Sequence, residues 1–235
     1  MKKIAIIAAM EEEMQAIKEM MNNIKLEKVY ETEIIEGVID QKQIVLAKCG
    51  VGKVNSARIT QMLIDKYEIE FVVNVGSAGA LNEQLNIGDI VIGKTLVQHD
   101  FDITAFGHAK GYITDIGREI VTDANLIQKC EKAIESILNK DTDNKCVIGT
   151  IASGDQFCTE LELKKEITNE FHADCVEMEG AAIAQVCMLD KVSCVVIRSI
   201  SDKVNGNNQV DFETYLKKAS KNCAKFIEGL LKQSV

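Results

Sequence analysis

Short, largely apolar runs recur along this chain, and most give way to a longer stretch with helical periodicity. Residues 4–8, 71–75, 146–152 and 192–200 are such runs. A strand that is apolar on both faces must be covered on both faces. Alternation with helices therefore predicts a largely parallel sheet between two helical layers. The spacing of apolar residues predicts helices over 11–21, 55–67, 125–138, 160–168, 179–189 and 211–231. The fifth is so apolar that burial nearly all round is expected. Residues 33–39 and 43–49 alternate instead, and Asp40-Gln41 between them reads as a hairpin turn. Strand character at 88–98 and 174–178 completes the pattern. The segments 139–145 and 203–208 are polar loops. No linker, composition shift or internal repeat divides the chain, so residues 1–235 are expected to form a single domain.

Charge and cysteine usage narrow the function classes. The net charge is −9 and there are three arginines, Arg58, Arg118 and Arg198. Nucleic-acid backbones are gripped by clustered cations, so a general nucleic-acid binder is not expected. The eight cysteines form no Cys-x-x-Cys pair and lie mostly in apolar settings, which reads as buried reduced thiols. No Cys/His cluster has zinc-ligand spacing, and His99, His108 and His172 are scattered, so no metal is expected. Lys2-Lys3 before the first apolar run imitates a short signal peptide, but Glu11-Glu12-Glu13 comes at once after it without a small-residue cleavage site. No run approaches a membrane span. A cytoplasmic protein without a membrane partner is the expectation.

In sheets of this kind ligands bind beyond the carboxyl ends of the strands. Candidate ligand-binding residues are therefore those just after each apolar run. Met10-Glu11-Glu12-Glu13 succeeds the first, and Gly76-Ser77-Ala78-Gly79 succeeds 71–75 and reads as a tight turn that lets backbone N–H groups approach a ligand. Val176 leads into Glu177-Met178-Glu179-Gly180, and Ser201-Asp202 succeeds the last run. Each acid alone has an equally good structural explanation, since acids in a first helical turn complement the macrodipole. The Gly/Ser turn lacks the dinucleotide spacing, and Gly50-Val51-Gly52-Lys53 lacks a phosphate-loop pattern because Val54 stands where Ser or Thr is needed. Several carboxylates in one crevice, without a metal cluster or arginine array, suit acid/base work on a bond that breaks with cationic character. Glycoside cleavage by water is such a reaction.

The segments Ala9-Met10-Glu11-Glu12-Glu13, Gly50-Val51-Gly52-Lys53, Asn74-Val75-Gly76-Ser77-Ala78-Gly79, Gly88-Asp89-Ile90-Val91, Thr104-Ala105-Phe106-Gly107, Ser153-Gly154-Asp155, Val176-Glu177-Met178-Glu179 and Arg198-Ser199-Ile200-Ser201-Asp202 together resemble the 5′-methylthioadenosine/S-adenosylhomocysteine nucleosidase family, in its order and over nearly the whole chain. The resemblance implies a three-layer α/β/α sandwich around a mixed, partly barrel-like central sheet, as in the wider nucleoside phosphorylases. It implies hydrolysis of a nucleoside to adenine and a 5-thioribose, in methionine salvage, with no cofactor. By resemblance Glu13 is the water-activating base and Asp202, helped by Ser201, the acid that protonates adenine N7. Glu179 meets the ribose hydroxyls, with Met178 packed on the sugar, Glu177 beside them, and Ser77, Ala78 and Gly79 nearby. Phe157 stacks on adenine and the Cys158 backbone reads its edge. Arg198 supports the site electrostatically. Met10, Val51 and Phe212 form the 5′-alkylthio pocket, and Ile103 and Phe106 reach the neighbouring subunit's pocket in a homodimer. Gln156 stands where relatives commonly have a smaller residue, and 111–115 lacks a proline that relatives often have. A purine nucleoside phosphorylase, a related N-glycosidase acting on futalosine, and a non-enzymatic nucleoside-binding protein are the alternatives.

Overall fold

In a computed structural model of the chain, which describes residues 2–138, 144–206 and 208–233, the apolar runs pair as strands of one sheet. The strands are β1 (Lys3–Ala8), β2 (Asn22–Val29), β3 (Thr32–Ile39), β4 (Lys42–Lys48), β5 (Ile69–Ala80), β6 (Ile90–Gln98), β7 (Ile120–Val121), β8 (Cys146–Ser153), β9 (Cys175–Glu177) and β10 (Ser193–Asp202). The helices are α1 (Glu11–Lys18), α2 (Lys53–Lys66), α3 (Ala124–Leu138), α4 (Leu161–Phe171), α5 (Gly180–Leu189) and α6 (Asn208–Lys232). The strand order is β10-β6-β8-β9-β5-β1-β4-β3-β2, and β10 also pairs with β5. Strands β10, β6, β8, β9 and β5 therefore close on one another, β1, β4, β3 and β2 extend from β5 as an open sheet, and β7 pairs with β6.

Alternation along each strand builds the two cores. Ile4, Ile6 and Ala8 of β1 face the layer of α1, α3 and α6, with Met14, Ile17, Cys130 and Ile227. Ala5 and Ile7 face the layer of α2 and α5, with Ile59, Leu63, Ile183 and Cys187. Strands buried on both faces satisfy the sandwich expectation.

Four expectations are corrected. The sheet is not largely parallel: β1–β4, β1–β5, β5–β10, β6–β8 and β8–β9 are parallel, but β2–β3, β3–β4, β5–β9, β6–β7 and β6–β10 are antiparallel. Gly76–Gly79 is not a turn. It continues β5, with Gly76 opposite Arg198, Ser77 opposite Ser199 and Gly79 opposite Asp202 on β10. The first helix ends at Lys18 rather than Met21, and the segment after it forms β2, an exposed edge strand whose Ile24 and Leu26 bury too little to betray it. Helix α5 is buried only over its first turns, and Leu189 at its end is 60% exposed. The Asp40-Gln41 hairpin turn is present, both residues at positive φ as a two-residue primed turn requires. Of the two predicted polar loops, 139–143 and Asn207 lie outside the described residues. Among the described residues no helix is long and apolar enough to cross a membrane.

Candidate active site

The last residues of β5 and the segments after β1, β9 and β10 meet in a cavity of about 380 Å³, within the usual size range of small-ligand sites. Glu13 enters it from the first turn of α1 and is 4% exposed. Its Oε2 accepts the N–H groups of Ala9 (3.0 Å) and Met10 (3.1 Å). Its Oε1 accepts the Ser77 N–H at 3.0 Å and lies 3.2 Å from Ser77 Oγ. Burial raises the Glu13 pKa, although Arg198 and these N–H groups oppose the rise. Of the three consecutive glutamates only Glu13 is buried; Glu11 and Glu12 face solvent.

The small residues of β5 are small because side chains lie against them. A methyl group at Gly76 would come within 2.9 Å of Glu13 Oε1 and 3.0 Å of Arg198 Nη1. At Gly79 it would come within 2.9 Å of Asp202 Oδ2. A strand with ordinary side chains there would displace both acids.

Arg198 is buried and does not line the cavity. It pairs with Glu177 through Nε (3.0 Å) and Nη2, and donates from Nη2 to Asn74 Oδ1 at 2.6 Å. Glu177 borders the cavity, yet its oxygens are engaged by Arg198, by Ser153 Oγ and by the N–H groups of Glu179 and Gly180 at the start of α5. Burial pushes its pKa up, but Arg198 and these hydrogen bonds outweigh burial and keep it ionised. Glu179 is placed differently. Its Oε1 accepts the Gly52 N–H at 2.8 Å and its Oε2 is 3.8 Å from Arg198. Burial, then the neighbouring Glu177 charge, raise its pKa.

Asp202, 2% exposed, closes the other side. Its Oδ1 accepts from Ser201 Oγ at 2.9 Å and its Oδ2 from Asn208 Nδ2 at 2.7 Å. Lys164 Nζ is 3.8 Å from Oδ2. Burial raises the Asp202 pKa against those three partners.

The mouth is apolar. Phe157 and Phe212 meet edge to face with centroids 5.6 Å apart. Met10, Val51, Cys158 and Met178 also line the cavity. Lys53 fastens the segments around it: its N–H donates to Asp155 Oδ1 (2.8 Å), and its Nζ pairs with Asp100, which accepts the Asp155 N–H (2.8 Å). Ile103 and Phe106 do not line the cavity; Phe106 lies on a surface 3-10 turn, 82% exposed. Every other residue to which the family resemblance gave a site role, except Arg198, borders it, whereas Glu11, Glu12 and Gly180 do not. Gly76, part of the predicted Gly/Ser segment, lines it too; Ala9, Gln156 and Val176 also line it but were assigned no role from sequence, nor were Asn74, Ser153, Lys164 and Asn208 behind it. For Lys164 a signal existed, because Lys164, Ile167 and Phe171 share the buried face of α4 at helical spacing. Among the described residues no group of His, Cys, Asp and Glu is arranged to hold a metal ion.

Three buried carboxyl groups with raised pKa values, Glu13, Glu179 and Asp202, face one cavity that no Lys or Arg among the described residues lines. Such a site can give a proton on one side and take one on the other. The sequence model of the Phosphorylase superfamily matches residues 3–232. A 5′-methylthioadenosine/S-adenosylhomocysteine nucleosidase of Staphylococcus haemolyticus is 38% identical over 230 residues, 97% of this chain and 99% of that protein. The crystal structure of the nucleosidase of the same name from Neisseria meningitidis, in complex with methylthio-immucillin-A, superposes with a TM-score of 0.94 at 36% identity, covering 100% of each chain. Futalosine hydrolase of Helicobacter pylori superposes with a TM-score of 0.94 at 33% identity, covering 99% of this chain and 98% of that one.

Proposed function

Since the chain belongs to the phosphorylase superfamily, and within it to the 5′-methylthioadenosine/S-adenosylhomocysteine nucleosidases, we propose that it hydrolyses the N-glycosidic bond of those two nucleosides, releasing adenine and the 5-thioribose. The observation that carries this reading is the pair Glu13 and Asp202 on a cavity that, among the described residues, has no cationic lining. Water attacks C1′ of the ribose and Glu13 takes its proton. The C1′–N9 electrons pass into the purine, and Asp202 gives its proton to N7. Glu13 suits the base because two pairs of hydrogen bonds fix its carboxylate, with the Ser77 hydroxyl beside Oε1. Asp202 suits the acid because burial favours its neutral form.

The remaining roles rest on position. Glu179, with one oxygen on Gly52, offers the other to the ribose hydroxyls. Glu177 holds Arg198, whose charge favours the anionic state of Glu13 from behind. Met178 packs on the sugar, and Ala78 and Gly79 leave room for it. Phe157 stacks on adenine, Cys158 reads its edge through its backbone, and Met10, Val51 and Phe212 receive the alkylthio group. A homodimer in which Ile103 and Phe106 approach the partner's site gives exposed Phe106 a covered environment. The cytoplasm, and salvage of the thioribose toward methionine, fit this activity.

Adenine release from methylthioadenosine is expected at the same rate with and without phosphate, with free thioribose as the sugar product. A sugar 1-phosphate formed only with phosphate would make the protein a phosphorylase. The equal TM-score to futalosine hydrolase favours a second reading of the same chemistry with another 5′ substituent, and assay of futalosine beside methylthioadenosine decides it. Phe157→Ala is expected to raise KM about tenfold or more with a smaller effect on kcat. Base–aromatic stacking is worth about 1–3 kcal/mol, and the Phe157 ring has no group that gives or takes a proton. An unchanged KM would remove Phe157 from purine binding.

A further inference from the structure

Helix α4 buries Lys164 on the same face as Ile167 and Phe171, and the lysine is 0% exposed. An ammonium taken out of water is costly unless it is paired. Its Nζ donates to the carbonyls of Lys203 and Val204, both at 3.3 Å, and lies 3.8 Å from Asp202 Oδ2. The two carbonyls open the segment between β10 and α6. Asn208 completes the arrangement, donating both to Asp202 Oδ2 and to the Lys203 carbonyl. The buried cation is thus directed at the carboxyl group assigned as the acid and at the backbone just after it.

We propose that Lys164 is a positioning residue for Asp202, holding the carboxyl group against the 203–204 backbone and favouring the carboxylate that remains once its proton has passed to the purine. The inference rests on the reading of Asp202 as the acid. Lys164 stays an ammonium throughout; the proton that N7 gains is the one Asp202 loses, and the C1′–N9 electron pair leaves with the purine. The charged and titratable groups around the pair are Asp211 of α6, which faces both, Cys158 before α4, and Cys175 of β9. Burial draws the Lys164 pKa down, while Asp202, Cys158 and Asp211 favour the ammonium.

The sign of the pH effect is fixed. Asp202 donates only when protonated, so turnover falls as pH rises through its pKa. A cation beside it lowers that pKa, and removing the cation moves the alkaline limb upward. The test is the pH profile of kcat for adenine release from methylthioadenosine in the wild type, K164M, K164Q, K164R and D202N. Both neutral variants are expected to move the alkaline limb up by about one pH unit or more, the range set by an opposite charge within 4–6 Å. K164R is expected to keep the wild-type limb. kcat falls more than KM changes in the neutral variants, because Lys164 does not line the cavity. A wild-type profile in K164Q, whose amide still donates to the carbonyls, would reduce Lys164 to a backbone tie and overturn the proposal. K164Q also carries the test if K164M does not fold. D202N separates the two readings. Near-normal kcat in D202N sinks the acid assignment, whereas an inactive D202N beside unshifted lysine variants sinks the role of Lys164 alone.

Discussion

Glu13→Gln is expected to leave a folded protein whose kcat for adenine release is lower by about two to four orders of magnitude, the usual contribution of a positioned general base. The substitution keeps the shape of the side chain and removes its ability to take a proton. It also has a structural consequence. Glu13 accepts from Ala9 and Met10 on one oxygen and from Ser77 on the other. A glutamine offers one carbonyl and one NH2, so one of these donor sets faces another donor, at about 1–3 kcal/mol. For a chain of this size that corresponds to a fall in Tm of up to about ten degrees. Turnover and thermal melting measured on the same sample separate the two effects. Near-normal turnover would remove Glu13 from the mechanism, whatever the melting curve.

Asp202→Asn is expected to lower kcat by a similar factor, about 10² to 10⁴, with KM changed much less. The amide retains the size of the acid and has no proton to give at any accessible pH. The wild-type profile should be bell-shaped: turnover is lost as pH falls through the pKa that reports Glu13, and as pH rises through the one that reports Asp202. Burial raises both groups above their ordinary values, so both limbs lie above the usual carboxylate range. D202N should lose the alkaline limb and keep the acid one. An intact alkaline limb in D202N would assign the proton donor elsewhere.

Much of the fold was legible along the chain because apolar periodicity is local. The runs at 4–8 and 146–152 became β1 and β8, and the six predicted helices shifted by only a few residues. Strand β2 escaped because an edge strand with solvent on both sides carries no burial pattern. Gly76-Ser77-Ala78-Gly79 was misread because small residues usually mark turns. Here they continue β5 so that Glu13 and Asp202 can lie against it, and that reason exists only once three distant segments have met.

The site divides in the same way. Residue type and place in the motif order marked Glu13, Glu179 and Asp202 as a set, and their position after apolar runs put them at one edge of the sheet. Their chemical states came from contacts across the chain. Glu13 meets Ser77 from 64 positions away, and Gly52 meets Glu179 from 127. Glu177 and Glu179 stand two residues apart, yet the Arg198 ion pair keeps the first ionised while burial raises the second. Sequence by itself determined most of the elements, the edge where the acids gather and the family, because these are written in local periodicity and residue order. Only the tertiary structure decided which acids have raised pKa values, which are ion-paired and that a lysine of α4 stands behind Asp202. Those properties depend on desolvation and on charges a few ångströms away, which the order of residues does not contain.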